Sequence, residues 1–160
     1  MDVARPLGAD GVKDSRGVAV ADFNGDGRLD MIINNNNETP TLYLNNQSKT
    51  GNAVEIKLVG TRSNHDAVGA CVRLTAGGKT MVRQVEAGSG YASESMLPVH
   101  FGLGGAERID AVEITWPSGF IQRMEGTDLN ALAGVNRLVR VEEGGSLNEV
   151  ATTGRARSRF

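Results

Sequence analysis

The sequence has one cysteine, four prolines and only 4% aromatic residues in 160. A single thiol, Cys71, rules out an intrachain disulfide and any zinc site built on several cysteines. Its setting in GACVRL, among alternating apolar neighbours, predicts a buried small hydrophobe rather than a reactive group. Scarce aromatics leave the core to Val, Ile, Leu and Ala. A charge bias is missing as well: 17 basic residues face 19 acidic ones, for a net charge of −2, which gives no electrostatic reason to expect nucleic acid. No apolar run is long enough to span a membrane, so membrane insertion is not expected. The opening MDVARPLGAD lacks the basic start and apolar stretch of a secretory leader.

What the chain does have is glycine, 21 residues of it, scattered between short apolar runs. That pattern means many tight turns and predicts an all-β fold. Val18–Ala21 and Met31–Asn34 are short apolar runs on either side of an acidic, glycine-containing segment, and Thr41–Asn45 alternates as a strand does. From residue 51 onward the period is two. Val54, Ile56 and Leu58 alternate with Glu55 and Lys57, and Val72 and Leu74 flank Arg73. Val112, Ile114 and Trp116 alternate with Glu113 and Thr115, and Val139 and Val141 with Arg140 and Glu142. Gly77-Gly78 reads as a hairpin turn into Lys79–Ala87, and Pro117-Ser118-Gly119 as another turn. The expected second unit is an antiparallel β-sandwich or barrel of about seven strands. Its one helical candidate is a short stretch near Asp128–Ala133. Residues 1–15 read as a flexible lead-in, and residues 144–160, with Arg155, Arg157 and Arg159, as a disordered basic tail.

The segment Asp22–Asp30 (DFNGDGRLD) carries the sharpest chemical signal. Oxygen-bearing side chains fall at its first, third, fifth and ninth positions: Asp22, Asn24, Asp26 and Asp30. Ca²⁺ takes about six to eight oxygens, and residues spaced by two on a curled loop can aim at one point. Gly25 and Gly27 permit the curl. Arg28, at the seventh position, offers its backbone carbonyl. Three carboxylates this close repel one another unless a cation sits among them. An EF-hand needs a Glu at position twelve and flanking helices. Ile33 stands at that position and the flanks are strand-like, so the expectation is a strand–loop–strand Ca²⁺ site.

The stretch SRGVAVADFNGDGRLDMIINNNNETPTLYLNN resembles one FG-GAP/VCBS-type repeat, the blade unit of integrin-like β-propellers. The resemblance implies the same calcium ligands: Asp22, Asn24, Asp26, Asp30 and the Arg28 carbonyl. GTRSNHDAVGACVRL, EAGSGYASES, HFGLGGAERIDAVEITWPSG and NRLVRVEE occur in the order of an ASPIC/UnbV domain. Such a domain follows these repeats in cartilage acidic protein-like and bacterial secreted proteins. The implied fold is a short propeller-blade-like calcium-loop hairpin at 16–50, followed by an ASPIC/UnbV-like β domain at 51–143. Propellers close with about four to eight blades, whereas this chain holds material for one. The expectation is therefore a piece of a longer secreted parent, with blade edge strands able to self-associate.

Other groupings carry less. Ser89, His100 and Asp110 have the residue types of a hydrolytic triad, but Ala87-Gly88-Ser89-Gly90-Tyr91 does not fit a nucleophile elbow. Ser63-Asn64-His65-Asp66 could bind a ligand, or Asp66 could fix the loop as an Asx turn. Trp116 and Tyr91 are the aromatics suited to stacking on a sugar, although the alternation around Trp116 favours the core. The functional expectation is a non-enzymatic, calcium-binding extracellular or cell-surface adhesion module. It would present Asn64, His65, Asp66, Ser89 and Tyr91 to a protein or glycan. The alternatives are a structural cap or spacer without a ligand, and a glycan-active hydrolase.

Overall fold

A computed structural model describes residues 5, 8–48, 51–88, 90–127, 135–145 and 147–149. Every named element among them is a β-strand, as the glycine spacing and period-two runs predict. Three strands come first: β1 (Ser15–Ala21), β2 (Asp30–Asn35) and β3 (Thr41–Tyr43), which form an antiparallel meander. Eight more follow: β4 (Asn52–Val59), β5 (Cys71–Ala76), β6 (Lys79–Gln84), β7 (Val99–Gly104), β8 (Ala111–Thr115), β9 (Ile121–Glu125), β10 (Leu138–Glu142) and β11 (Leu147–Glu149). They build two four-stranded sheets, ordered β11-β10-β4-β7 and β6-β5-β8-β9.

The two four-stranded sheets form a sandwich because each strand turns alternate residues inward. Val54, Ile56 and Leu58 of β4, Val99 and Phe101 of β7 and Val139 and Val141 of β10 meet Val72 and Leu74 of β5 and Val112 and Ile114 of β8 in one core. Burying side chains of this size contributes about 1.5–3 kcal/mol each. Trp116 joins them at 2% exposure, and its indole N–H donates to Gln122 Oε1 at 3.0 Å, so its one polar atom is satisfied inside. The Gly77-Gly78 turn is as expected, with φ of 56° and 73° suiting the two central positions of a tight hairpin.

The all-β architecture is as expected, and four details within it differ. The sandwich is not wholly antiparallel: β10 runs parallel to β4, with Leu138 opposite Glu55 and Glu142 opposite Val59. Cys71 is only half-buried, since it opens β5 on the outer face while Val72 and Leu74 take the core. The lead-in is tied near its end, where Lys13 Nζ donates to Thr39 O at 3.1 Å and Asn36 N–H to Asp14 O at 2.8 Å. The tail does not leave the fold at residue 144, because Leu147–Glu149 pairs antiparallel with β10. Asp128–Ala133, the helical candidate, and residues 150–160 lie outside the described residues.

The three-stranded sheet is built differently from the sandwich. Directly paired residues share a face. Val18, Val20, Met31, Ile33 and Tyr43 therefore line one side, and Ala19, Ala21, Ile32 and Leu42 the other. Both faces are apolar, yet the buried residues of β1–β3 are Gly17, Asp30 and Asn35 alone. Near-continuous apolar runs such as Val18–Ala21 are the mark of a sheet meant to be covered on both sides.

Candidate functional site

Asp22–Asp30 connects β1 to β2, and its side chains fold back onto its own backbone. Asp22 accepts Asp26 N–H on Oδ1 at 3.0 Å and Gly27 N–H on Oδ2 at 2.7 Å. Asn24 Oδ1 accepts the same Asp26 N–H at 3.1 Å, so two oxygens converge on one donor. Gly25 and Gly27, at φ of 72° and 86°, make this curl possible. Asp30 is buried at 1% exposure, and its carboxylate joins distant segments: Phe23 N–H donates to Oδ2 at 3.0 Å and Asn45 N–H to Oδ1 at 2.8 Å. Asp26 accepts Arg28 N–H at 2.9 Å on one oxygen and the Arg28 guanidinium on the other.

The donor set is all hard oxygen, as Ca²⁺ requires, and each carboxylate oxygen that takes one N–H keeps a second lone-pair direction. In the arrangement described, however, no three His, Cys, Asp or Glu side chains among the described residues lie close enough to hold a metal. The loop is a chain of Asx turns. The Arg28 guanidinium, bonded to Asp26, is the loop's own positive charge and would compete with a cation for that carboxylate.

The loop and β1 rest against the sandwich. The outer edge of β1 is covered by the segment before β7. Val18 N–H donates to Ser93 Oγ at 2.9 Å, Val20 N–H to Ser95 Oγ at 3.2 Å, and Met96 N–H to Val20 O at 3.2 Å. A Cβ on Gly17 would stand 2.3 Å from Ala92 O, so only glycine permits this approach. His100, on β7, places Nε2 3.1 Å from Gly27 O. A carbonyl only accepts, so Nε2 carries the proton. Sequence reading did not assign Ser93, Ser95 or this role of His100. Two serines spaced by two before a strand were the available signal.

The remaining candidate residues fall in three places. Ser89 lies outside the described residues. Tyr91 is 80% exposed at the tip of a tight turn closed by a Gly90–Ser93 bridge, with Ala92 at a left-handed φ of 49°. In the Asn64–Gly69 loop the turn is made by Asn64, not Asp66: Asn64 Oδ1 accepts Val68 N–H at 2.8 Å and Nδ2 donates to Val68 O at 2.9 Å. Asp66 instead meets His65 Nδ1 at 3.0 Å on the surface. Of the triad residue types, the described His100 and Asp110 are not brought together: the described partner of His100 is Gly27, and Asp110 leads into the opposite sheet. Trp116 is spent in the core.

A second polar cluster went unforeseen. Glu143 is buried at 4% exposure just after β10. Its Oε2 accepts N–H groups from Thr61 at 3.0 Å, Arg62 at 2.7 Å and Ser63 at 2.7 Å, while Oε1 accepts the hydroxyls of Ser63 at 3.0 Å and Ser118 at 2.5 Å. Burial by itself raises the carboxyl pKa. The hydrogen bonds from Ser118, Ser63, Arg62 and Thr61 outweigh it and hold the group at about 2. Glu143 thus staples the β4–β5 loop and the β8–β9 turn to the end of β10.

Comparison of the sequence with known families places the chain in one of them. A model described as ASPIC and UnbV matches residues 60–147, more than half of the chain, and the chain belongs to that family. An FG-GAP-like repeat matches residues 22–72, starting at the first aspartate of the loop. Among curated proteins, Cartilage acidic protein 1 of Mus musculus is 36% identical over 107 residues, covering 64% of this chain and 16% of that protein. Cartilage acidic protein 1 of Xenopus tropicalis is 35% identical over 114 residues, covering 68% and 17%. The chain therefore spans about a sixth of the length of these relatives.

Proposed function

We propose that the chain is a non-enzymatic, calcium-binding interaction module of a longer extracellular protein, and that its partner is a protein. The observation that carries this is the Tyr91 turn. A tyrosine 80% exposed, on a turn whose next residue is held at a left-handed φ, is the kind of presented aromatic that protein interfaces use as an anchor. A protein is favoured over a glycan because Trp116, the other ring suited to stacking on a sugar, is buried. Asn64, His65 and Asp66 present a further exposed polar loop. The family and the likeness to Cartilage acidic protein 1 support an extracellular setting, and no helix among the described residues is long and apolar enough to cross a membrane.

Asp22, Asn24, Asp26, Asp30 and the Arg28 carbonyl would hold Ca²⁺, whose charge would relieve the repulsion among the carboxylates and rigidify the loop. The two half-covered faces of the β1–β3 sheet are met by neighbouring units of the longer protein. Self-association through strand edges would use β3, since the outer edge of β1 is occupied by Ser93–Met96.

Two measurements test this reading. Calcium should raise the melting temperature, and Asp26→Ala should remove the rise; equal melting of the wild type with calcium and with chelator rejects the metal. Capture of matrix or cell-surface proteins should be lost in Tyr91→Ala. Binding on a glycan array with no protein capture would instead assign a glycan, and silence in both would favour a spacer.

A further inference from the structure

We infer that Ala92–Met96 and His100 form a latch that makes the β1–β3 sheet and the sandwich one cooperative unit, so that a change in the sheet or its loop is felt at the Tyr91 turn. The argument starts from what the small sheet lacks. None of its hydrophobic side chains is more than partly buried, and three strands need a well-covered apolar face to persist in water. Its order must be supplied from outside.

The latch supplies it at both ends. Ser93 and Ser95 are two residues apart, as are Val18 and Val20, and strands carry a common repeat of two. The two hydroxyls therefore stand where the carbonyls of an added strand would accept, at 2.9 and 3.2 Å, and Met96 N–H returns a bond to Val20 O at 3.2 Å. Ser93 Oγ also donates to Tyr91 O at 2.8 Å, which ties the latch to the exposed turn. Gly17 admits Ala92 into contact with β1. Beyond the other end of β1, His100 holds Gly27 O within the acidic loop. The same short segment thus touches β1, the loop's backbone is held from β7, and Tyr91 lies one residue from the contact.

The full chain, in chelator, provides the test. Trp116 is the sole tryptophan, and its hydrogen bonds go to Gly119, Phe120 and Gln122, all in the sandwich, so its fluorescence reports the sandwich alone. Asn35→Ala damages only the small sheet, where Asn35 bonds Ser15, Thr39 and Thr41. The expected result is a drop of at least about 2 °C in the Trp116 melting midpoint. In a background carrying Ser93→Ala, Ser95→Ala and His100→Ala the same change should leave that midpoint unmoved. A Trp116 midpoint insensitive to Asn35→Ala in the parent, or equally sensitive in both backgrounds, overturns the inference. If the triple variant does not fold, Ser95→Ala alone is read by amide exchange. Faster exchange along β1 and β2 as a block supports the latch, and an effect confined to Val20 overturns it. Neither arm uses a cation or a partner, so this outcome and that of the calcium and Tyr91 tests are separate.

Discussion

Asp30→Ala is the sharpest test of how the acidic loop is held. The Asp30 carboxylate is 1% exposed and is the only described acceptor for Phe23 N–H and Asn45 N–H, at 3.0 and 2.8 Å. Hydrogen bonds to a charged group contribute about 1.5–3 kcal/mol each when buried. Both donors sit in partly exposed segments, which places the combined loss at roughly 2–4 kcal/mol. Asp30→Asn is the control. Its amide oxygen can keep one N–H, but its NH₂ then faces the other donor, so about half the loss should remain. Urea denaturation in chelator, followed by far-UV circular dichroism, gives the stability difference. Exchange rates at the Phe23 and Asn45 amides show whether it arises there. A loss below about 0.5 kcal/mol, the scatter of ordinary surface substitutions, together with unchanged exchange at both amides, would refute the assignment.

Other expectations follow from the sandwich and the loop. Glu143 has a folded pKa of about 2 against an ordinary 4.5, so its stabilisation is fully present above pH 4.5 and is lost as pH falls toward 2. The melting difference between wild type and Glu143→Gln should therefore shrink across that window; a constant difference would show that the charge is not what matters. Ala67 is fully buried at a left-handed φ of 54°. Ala67→Gly relieves strain but deletes a core methyl and should change stability by less than about 1 kcal/mol, whereas Ala67→Val, β-branched and overpacked, should cost about 1–3 kcal/mol or more in denaturant titrations. Leu74→Ala, at 0% exposure, should cost about 2–5 kcal/mol by the same assay. Arg28→Ala leaves the backbone carbonyl in place and frees Asp26, so calcium titration should show tighter binding than in wild type; weaker binding would mean the guanidinium does not compete.

The strands of the sandwich were legible because period-two burial leaves its mark directly on the residues. Val54, Ile56 and Leu58, or Val112 and Ile114, announce both the strand and its inner face. Pairing across long separations was not legible. Nothing local shows that β10 lies parallel to β4, because that choice is made by the path of the chain between them. The alternation rule also misplaced Cys71, which sits one residue off the buried register of Val72 and Leu74. The acidic loop was readable from its spacing, yet Arg28 was read only for its backbone and its side chain proved to bond Asp26. Glu143 and the serine latch escape a sequence reading for a common reason. A Glu beside another Glu at a strand end, or Ser-Glu-Ser in a glycine-rich stretch, looks like solvated surface until distant N–H groups are brought to it.

The two units differ in what they need. The sandwich has its own core, and its buried polar side chains find partners within it: Glu143 with Thr61, Arg62, Ser63 and Ser118, and Gln122 with Trp116, Gly144 and Gly145. The β1–β3 sheet has no such core, so its order must come from the latch and from whatever covers its faces, to which the proposed cation would add. The cation can be weighed. Extracellular calcium modules bind with constants of about 10⁻⁴–10⁻³ M. A site tenfold tighter than the free calcium around it adds RT ln 11, about 1.4 kcal/mol. Ordering one residue's backbone costs about 1–2 kcal/mol, and the sheet and its loop order many. Calcium alone therefore cannot hold this sheet, and most of the stabilisation must come from contacts. That ranks the latch and the covering of the two apolar faces above any metal in holding the sheet.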